Sequence, residues 1–183
     1  VSNVTEDDDR LVIETSRGKV ISKKLIYATH IPPGINLLHL RCAPWRSYAM
    51  ALKIEGEYPK GLIYDMKDPY HYYRSQRIGD DMFLIVGGED HKTGDDINTE
   101  ACFRKLRAHA EGIFPVTEVS YQWSAQYFES TDGLPYIGVL PGNEGNIYVA
   151  TGYGGNGMIH SHIAARELTG QIVEGKSLFD DLF

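Results

Sequence analysis

The chain contains 183 residues, of which 42% are hydrophobic, and its 18 basic and 25 acidic residues give a net charge of −7. This length allows one ordinary domain, or one domain and part of another. The basic residues are scattered, which argues against a nucleic-acid surface, and no apolar run approaches the roughly 20 residues of a membrane span. The chain begins with Val1 and carries no secretion signal, so we expect a cytoplasmic fragment or processed chain without membrane partners.

The first thirty residues have the pattern of β-strands. Residues 11–15 alternate between apolar and polar side chains, and Ser16-Arg17-Gly18 provides turn residues. Residues 24–28 form a short, nearly continuous apolar run, which is typical of a strand that is covered on both faces in a parallel sheet. The strand must end before the Pro32-Pro33-Gly34 segment.

The middle third predicts a mostly antiparallel sheet with at least one covering helix. Residues 48–54 alternate, with Tyr48, Met50, Leu52 and Ile54 on one face, and residues 61–66, 70–77, 82–87 and 119–125 continue as strands. A helix is predicted over 98–111. Asn98 or Thr99 caps its start, and Gly112 and Pro115 end it. The two cysteines, Cys42 and Cys102, have no His or Cys at ligand spacing, so we expect reduced thiols and no metal site.

A glycine-rich loop follows a short buried strand near the end of the chain. The strand is residues 147–150, the loop is residues 151–157, and a helix is predicted over about 158–173. Glycines at 152, 154, 155 and 157 bring bare backbone N–H groups close to a ligand, and the helix directs its positive end towards the same place. A phosphate or the N1–C2=O edge of a flavin would suit such a loop. A tight strand-to-helix connection without a ligand is the alternative.

Three segments carry a family resemblance: Trp123–Gln126, Thr131–Gly138 and Asn146–Met158. They resemble the closing segment of the D-amino-acid-oxidase-like flavoenzymes, which include glycine and sarcosine oxidases. Residues 17–18 and 25–29 resemble the hairpin and strand that lie beside the cofactor in this family. Tyr136, the Trp-Ser-Ala-Gln stretch and the ending at 178–183 most resemble a subgroup that carries a Rieske iron–sulfur domain downstream.

The resemblance implies a mixed α+β fold in three consecutive pieces. Residues 1–30 would be the final strands of an FAD-binding domain, residues 31–130 a substrate-binding domain, and residues 131–183 the returning FAD-binding segment. The antiparallel-rich sheet of the substrate domain would be covered by helices, and the FAD-binding domain would be incomplete. The opening G-x-G-x-x-G motif, which grips the pyrophosphate, and its ribose-binding acidic residue are absent. We therefore expect the chain by itself to be inactive and not to retain FAD, because the N-terminal FAD domain of the same polypeptide is missing.

The resemblance also implies a set of site residues. The residues expected to bind FAD are Ala28, Thr29, His30, Gly138, Gly152, Tyr153, Gly154, Gly155, Asn156, Gly157 and Met158. The candidates for contact with the substrate are Tyr73, Arg74, Gln126 and Tyr127. No catalytic acid–base pair is expected, because the flavin would take hydride equivalents from the substrate Cα–H and leave an imine. The electron acceptor, oxygen or a downstream Rieske 2Fe-2S centre, stays open.

Three departures from the family pattern bear on function. His30 stands where the family usually has Gly. Its ring is either functional or simply part of a solvated loop. Ala125 replaces the usual Gly after Trp123. Tyr127 stands where glycine- and sarcosine-type members carry an Arg that clamps the substrate carboxylate. A phenol beside an acid suits an amine better, so we expect an amine rather than a plain α-amino acid, unless Arg74 or Arg77 takes the role of the clamp.

Two smaller sets of aromatic residues have their own interpretations. Alternation puts Tyr70 and Tyr72 on one sheet face and His71 and Tyr73 on the other. We expect one of these pairs to pack in the core and the other to line the pocket over the flavin. Tyr73 is the favoured pocket residue, and Trp123 is interpreted as a core anchor.

The function expected from the resemblance is FAD-dependent oxidation of the C–N bond of an amine or amino acid. Two alternatives come from other classes. One is a non-catalytic ligand-binding or assembly module, and the other is an NAD- or FAD-linked reductase of another lineage. A strand followed by G-x-G-x-x-G at the start of the parent reading frame would separate the three.

Overall fold

The computed structural model describes residues 1–7, 9–34, 36–95, 98–143 and 145–179, so residues 180–183 of the ending noted above lie outside the described residues. The chain forms two compact units, a split unit of residues 1–43 with 127–183 and a continuous unit of residues 44–126. The strands in chain order are β1 (Asn3–Asp7), β2 (Arg10–Thr15), β3 (Gly18–Ser22), β4 (Leu25–Tyr27), β5 (Cys42–Ile54), β6 (Leu62–Tyr64), β7 (Tyr72–Ile78), β8 (Asp81–Lys92), β9 (Val116–Ser130), β10 (Tyr136–Val139) and β11 (Ile147–Thr151). The helices are α1 (Leu38–Arg41), α2 (Thr99–Glu111) and α3 (Gly157–Thr169), and α3 continues into a π-helical turn, Gly170–Glu174.

The split unit contains two small sheets. One is the antiparallel meander β1-β2-β3, and the other has the order β10-β11-β4. β4 pairs with β11 in parallel, in the register Leu25 to Ile147, which confirms the parallel neighbour predicted for the apolar run at 24–28. On one face of this sheet Ala164 and Leu168 of α3 pack against Tyr148 and Ala150 of β11. The sheet and helix therefore fix the position of the loop that joins them.

The continuous unit is built on the sheet β6-β7-β8-β5-β9. The pairs β6–β7, β7–β8 and β8–β5 are antiparallel. Helix α2 covers one face of the sheet, where Leu106 and Ala110 join the buried residues Tyr48, Met50 and Leu52. Alternation along β5 predicted this apolar face, because successive side chains of a strand point to opposite faces. The mixed, antiparallel-rich α+β class is thus confirmed.

Helix α2 begins at its predicted cap. The Asn98 side chain accepts hydrogen bonds from the backbone N–H groups of Glu100 and Ala101 at 3.0 and 3.2 Å, and Gly112 follows the last residue of the helix. Such a cap contributes about 1 kcal/mol to helix stability. The C-terminal helix continues beyond α3 as the π-helical turn Gly170–Glu174. It ends at Gly175, which has a left-handed φ of 66°.

Several elements differ from the sequence-based expectations. Strand β10 and the four-residue helix α1 were not predicted, because each is too short to show a periodic pattern. Trp123 is 44% exposed, so its interpretation as a core anchor is wrong. The two cysteines are free and buried. Among the described residues, no helix has the length and apolar character needed to span a membrane.

Candidate functional site

The ends of β4 and β11 form the floor of a cavity in the split unit. Because the two strands are parallel, the residues that follow them, Ala28 to His30 and Gly152 to Tyr153, meet at the same edge of the sheet. The cavity has a volume of about 470 Å³. Its walls are mainly small or aromatic: Ala28, His30, Gly152, Tyr153, Ala164 and Ala165. Flat ring systems suit such a cavity, since small side chains let them approach the backbone.

Gly152 is fixed by its backbone conformation and its surroundings. Its φ is 73°, a left-handed conformation that favours glycine. A Cβ atom at this position would lie 3.4 Å from Cys42 Sγ, from Ser130 Cβ and from Tyr136 Cδ2. The glycine therefore allows the loop to turn tightly out of β11 while it packs against three neighbours.

The rest of the glycine loop lines a second depression of about 240 Å³ next to the first. Gly154, Gly155 and Asn156 lie here, together with His160 of α3, and Gly152 and Tyr153 line both cavities. The N–H of Gly154 donates to the Phe128 carbonyl at 2.9 Å, which ties the loop to the end of β9. In the first turn of α3 there is neither an acidic residue nor a side-chain cap, and the Ile159 N–H donates to the Asn156 carbonyl at 3.1 Å. The N–H groups of Gly157 and Met158 are therefore the ones left for an anionic ligand.

His30 is attached to the end of β11 by a hydrogen bond. The buried Thr151 hydroxyl donates to the His30 backbone carbonyl, and this bond joins the two strand ends that line the cavity. The His30 backbone has a φ of 73°, although His is not a glycine. Its ring stands edge-on to the Phe128 ring, with centroids 5.1 Å apart, and forms part of the cavity wall.

The remaining predicted cofactor residues lie around this centre at different positions. Thr29 is exposed, and its hydroxyl donates to the Ile31 carbonyl at 2.9 Å. Gly138 is in β10, where the side chain of Gln171 approaches it. Met158 is exposed on a separate apolar groove of α3, and Gly157 begins that helix. The structure thus brings the predicted residues 28, 30 and 152–156 together, whereas residues 29, 138, 157 and 158 line neither of the two cavities.

The pKa values of two ionisable groups near the cavity are raised. Burial raises the pKa of the Tyr153 phenol. Burial, and then the negative charge of Asp132, raise the pKa of the Cys42 thiol. Both groups are therefore protonated at neutral pH, and Cys42 supports the turn at Gly152 as an uncharged packing residue.

Tyr73 and Arg74, two of the predicted substrate residues, lie on opposite faces of the sheet of the continuous unit. Tyr73 is 4% exposed, lies on the face that α2 covers, and shares a hydrogen bond with His109. Arg74 points to the other face, where it is exposed and donates to Gln76. His71 and Tyr73 are therefore the core pair, because α2 docks on their side of the sheet. Gln126 and Tyr127 are half-buried neighbours near the end of β9.

Tyr72 was not among the substrate residues selected from the sequence. It lies beside Arg74 on the sheet face opposite α2, which is called the helix-free face below. It is opposite Gly87 in the register of β7 and β8, and Gly87 is in turn opposite Ala49 of β5. A Cβ atom on Gly87 would lie 2.0 Å from Tyr72 Cζ, so the ring rests directly on the glycine backbone. The sequence shows Gly87 in the run Val-Gly-Gly, but it does not show that Gly87 and Ala49 lie in line with Tyr72. That alignment depends on the register of three strands.

A second group of polar side chains was missed entirely. Asp65, His71 and His109 meet in the continuous unit, although six and 38 positions separate successive members. Burial would raise the pKa of Asp65, but backbone N–H groups of His71 and Lys67 and the His71 ring lower it to about 2. Burial, then the charges of His71 and Lys67, lower the pKa of His109. The spacing of these residues in the sequence does not indicate the cluster. Asp65 and His71 lie in the loop between β6 and β7, whereas His109 lies in α2, and only the fold brings them together.

Comparison with known proteins identifies the family. A protein-family model with the description FAD dependent oxidoreductase, DAO, matches residues 1–171. The chain belongs to the DAO family of FAD dependent oxidoreductases. Within it, YhfW of Bacillus subtilis strain 168, provisionally named a Rieske 2Fe-2S iron-sulfur protein, is 30% identical over 174 residues, which are 94% of this chain and 34% of YhfW. The predicted resemblance to the Rieske-linked subgroup is therefore confirmed at the level of sequence.

Two glycine oxidases extend the comparison. The glycine oxidase of Pseudomonas aeruginosa strain PAO1 is 28% identical over 171 residues, which are 88% of this chain and 45% of that protein. The crystal structure of glycine oxidase from Geobacillus kaustophilus superposes with a TM-score of 0.73 at 19% identity, over 96% of this chain and 48% of the other. The DAO fold is thus shared, and the chain spans less than half the length of these relatives.

The residues present fit part of a flavin. Gly152 allows the tight turn at the edge of the cavity, Ala28 and Ala164 keep the cavity open to a flat ring, and the uncapped start of α3 suits an anionic edge. The spacing G-x-G-x-x-G occurs once, at Gly152, Gly154 and Gly157, where it joins β11 to α3 near the end of the chain, and not in the opening βαβ unit that grips the pyrophosphate in dinucleotide folds. The cavity residues of this DAO-family chain therefore carry groups suited to the ring system.

Proposed function

We propose that this chain forms the ring-binding half of the FAD site of an enzyme that oxidises the C–N bond of a small amine or amino acid to an imine. The observation that carries the proposal is the glycine loop 151–157, which lies between the ends of the parallel strands β4 and β11 and the start of α3. In a member of the DAO family this arrangement supports a flavin more strongly than a simple tight turn. Bound FAD would supply the hydride acceptor.

The chain's own residues would bind and orient the ring. Backbone N–H groups of the loop and of the first turn of α3 would stabilise negative charge at the pyrimidine edge, since they are fixed donors in a partly enclosed site. Tyr153, His30 and the alanines of the cavity would exclude water from the ring. The hydrogen bond from Thr151 to His30 would keep the two strand ends at the spacing that the ring requires.

For the substrate we propose an amine in preference to an α-amino acid. Tyr127 occupies the position at which glycine- and sarcosine-type relatives carry the carboxylate-clamping Arg, and a neutral phenol lacks the paired donors that a carboxylate needs. The helix-free sheet face with Tyr72 and Arg74 is the proposed substrate surface of the continuous unit. Arg74 is the competing candidate for a carboxylate clamp, because its guanidinium is exposed and engages only Gln76 among the hydrogen bonds described.

Two further proposals concern the rest of the polypeptide. The isolated chain should bind little or no FAD, because residues 1–183 contain no opening βαβ unit with the pyrophosphate-binding G-x-G-x-x-G. A Rieske 2Fe-2S centre downstream is supported by the similarity to YhfW. It would be detected in the intact protein by the electron paramagnetic resonance signal of the reduced cluster.

The proposal is tested by an anaerobic visible spectrum of the intact protein, titrated with a panel of amines and amino acids. We expect a bound flavin that amines bleach at lower concentrations than the corresponding amino acids. Tyr127→Arg should shift the preference towards carboxylates, Tyr127→Phe should leave it unchanged, and Arg74→Gln should not weaken amine turnover. A colourless protein would refute the flavoenzyme, whereas bleaching only by amino acids that disappears in Arg74→Gln would refute the amine preference alone.

A further inference from the structure

Three potential metal ligands converge in the continuous unit. His71 Nδ1 lies 2.8 Å from Asp65 Oδ2, and His109 Nε2 lies 3.8 Å from the same oxygen. One ligand atom of each residue lies within 4.8 Å of those of the other two. Their side chains are only 14% (Asp65), 9% (His71) and 16% (His109) exposed, so the group is largely shielded from water.

The fold positions the carboxylate of Asp65 before any ligand is considered. The loop from β6 to β7 closes with a backbone bond from the Asp65 N–H to the His71 carbonyl at 3.1 Å. The N–H groups of His71 and Lys67 both donate to Oδ1, at 2.9 and 3.1 Å. Oδ1 is thereby satisfied, and Oδ2 is directed at the two imidazoles.

A second carboxylate supports His71 from the opposite side. Glu89 Oε1 lies 3.3 Å from His71 Nε2. Glu89 occupies a β-bulge in β8, where the register with β5 shifts between Arg46 and Tyr48, and it has a φ of 57°. Bulges frequently redirect a side chain in this way. A carboxylate on the outer nitrogen of a ligating histidine is a common feature of metal sites, because it fixes the tautomer and leaves the inner lone pair for the metal.

Close packing holds the His71 ring in this orientation. A Cβ atom on the neighbouring Gly88 would lie 2.5 Å from His71 Cδ2, so only glycine leaves room for the ring. A neutral imidazole carries one N–H, so His71 can donate to Asp65 or to Glu89 but not to both. The remaining ring nitrogen then faces carboxylate lone pairs, and two such acceptors repel each other unless a proton or a metal cation binds there.

We propose that Asp65, His71 and His109 form a binding site for a divalent transition metal ion of the Zn²⁺ class. Two imidazoles and one carboxylate suit zinc, whose sites commonly combine nitrogen and oxygen ligands in a tetrahedron. The His71 and His109 rings are stacked, with centroids 3.8 Å apart at 14°, so His109 must turn before both lone pairs converge on one ion. The bond between Tyr73 and His109 Nε2 must open in the same step.

The consequence of metal binding would be structural. Asp65 and His71 belong to the β6–β7 loop, and His109 belongs to the last turn of α2. An ion held by all three would connect the loop to the helix across the edge of the sheet. Binding would therefore stabilise the folded chain against thermal unfolding, since a ligand that binds only the folded state raises its stability.

The test is a titration of the chelator-treated chain with Co²⁺, followed by displacement with Zn²⁺. We expect one Co²⁺ per chain, an absorption band of tetrahedral cobalt, loss of that band on adding Zn²⁺, and a higher melting temperature with either ion. The paired variant Asp65→Asn with His109→Gln should lose the band, and Glu89→Gln should weaken the affinity roughly 10- to 100-fold. His39→Gln is the matched control, because His39 is an exposed histidine in the split unit.

Each outcome decides the proposal. If the unmodified chain, folded by circular dichroism, shows no stoichiometric Co²⁺ or Zn²⁺ binding at micromolar concentrations, the cluster is a hydrogen-bonded network held by a proton and the proposal is wrong. Binding that survives the paired substitution, or that His39→Gln removes, also overturns it. Should the paired variant fail to fold, Glu89→Gln and the wild-type titration remain decisive.

Discussion

The hydroxyl of Thr151, at the end of β11, donates a hydrogen bond to the backbone carbonyl of His30, beyond the end of β4. The two residues are 121 positions apart in the sequence and lie side by side in the cavity wall. The parallel pairing of β4 and β11 brings them together, and the hydrogen bond then fixes the strand ends relative to each other. The link therefore holds together the two strand ends that border the proposed flavin cavity.

Replacing Thr151 with Val should destabilise the chain by about 1–2 kcal/mol, because the isosteric side chain leaves the His30 carbonyl without this donor. Thr151→Ser retains a hydroxyl and should lose considerably less. The free energy of unfolding from urea denaturation measures both. Equal stability of the Val and Ser variants would show that the hydrogen bond contributes nothing.

At position 30, glycine should be better tolerated than alanine. The His30 φ of 73° lies in the left-handed region, which costs residues with a Cβ roughly 1–2 kcal/mol. His30→Ala and His30→Gly both lose the ring contact with Phe128, so they differ mainly in this backbone cost. We expect the Ala variant to be less stable than the Gly variant by about 1 kcal/mol in urea denaturation. The reverse order would show that the left-handed conformation at this position is not maintained.

The two ends of the glycine loop should respond differently to alanine. Gly152→Ala should destabilise the chain by at least about 1 kcal/mol, because φ is 73° and the added Cβ meets three neighbours at 3.4 Å. Gly157→Ala is the matched control, since a Cβ there meets nothing within 4 Å and the residue begins α3. It should be neutral or stabilising by up to about 1 kcal/mol. Thermal denaturation of the two variants compares them, and a harmless Gly152→Ala would contradict the described turn.

Glu167 should give the chain a stability that depends on pH. This carboxylate is 0% exposed and accepts hydrogen bonds from Gln171 at 2.7 Å, Ser177 at 2.5 Å and the Leu178 N–H at 2.8 Å. Burial alone would raise the pKa of Glu167, but the donors of Ser177, Gln171 and Leu178 lower it overall. The ionised form is therefore favoured in the folded state, and the stabilisation is present above the unfolded pKa of about 4.3.

We expect Glu167→Gln to lose about 1–3 kcal/mol at neutral pH, because a buried network to a charged acceptor is broken. The difference from wild type should shrink as the pH falls below about 4.3 and Glu167 becomes protonated in the folded chain. Glu174→Gln, an exposed neighbour on the same helix, is the control and should change stability little. Urea denaturation between acidic and neutral pH measures the effect, and a difference that grows at low pH would contradict this account.

Sequence reasoning predicted the fold well wherever periodicity was long. The alternation of Tyr48, Met50, Leu52 and Ile54 identified the core face of β5, and the Asn98 cap with Gly112 located α2 to within a residue. It was less successful for β10 and the π-helical turn after α3, because short or irregular elements depend on packing rather than on pattern. The burial of Trp123 was also predicted wrongly, because hydrophobic character alone does not bury a side chain.

The candidate site was only partly accessible to the same reasoning. The motif identified the glycine loop and the strand at 25–29, and the structure brings both to one cavity. Alternation separated Tyr72 from Tyr73 but did not tell which of the two faces α2 covers. That choice depends on where the helix docks, and it places Tyr73 in the core and Tyr72 with Arg74 on the free face.

By itself, the sequence determined the strand and helix periods, the glycine loop and the family to which the chain belongs. These features are local, because they depend on residue type and on spacings of a few positions. The tertiary structure alone decided that Thr151 meets His30, and that Asp65 and His71 meet His109. Such contacts join residues that are far apart in the chain, so strand pairing and helix docking create them, and no local pattern records them.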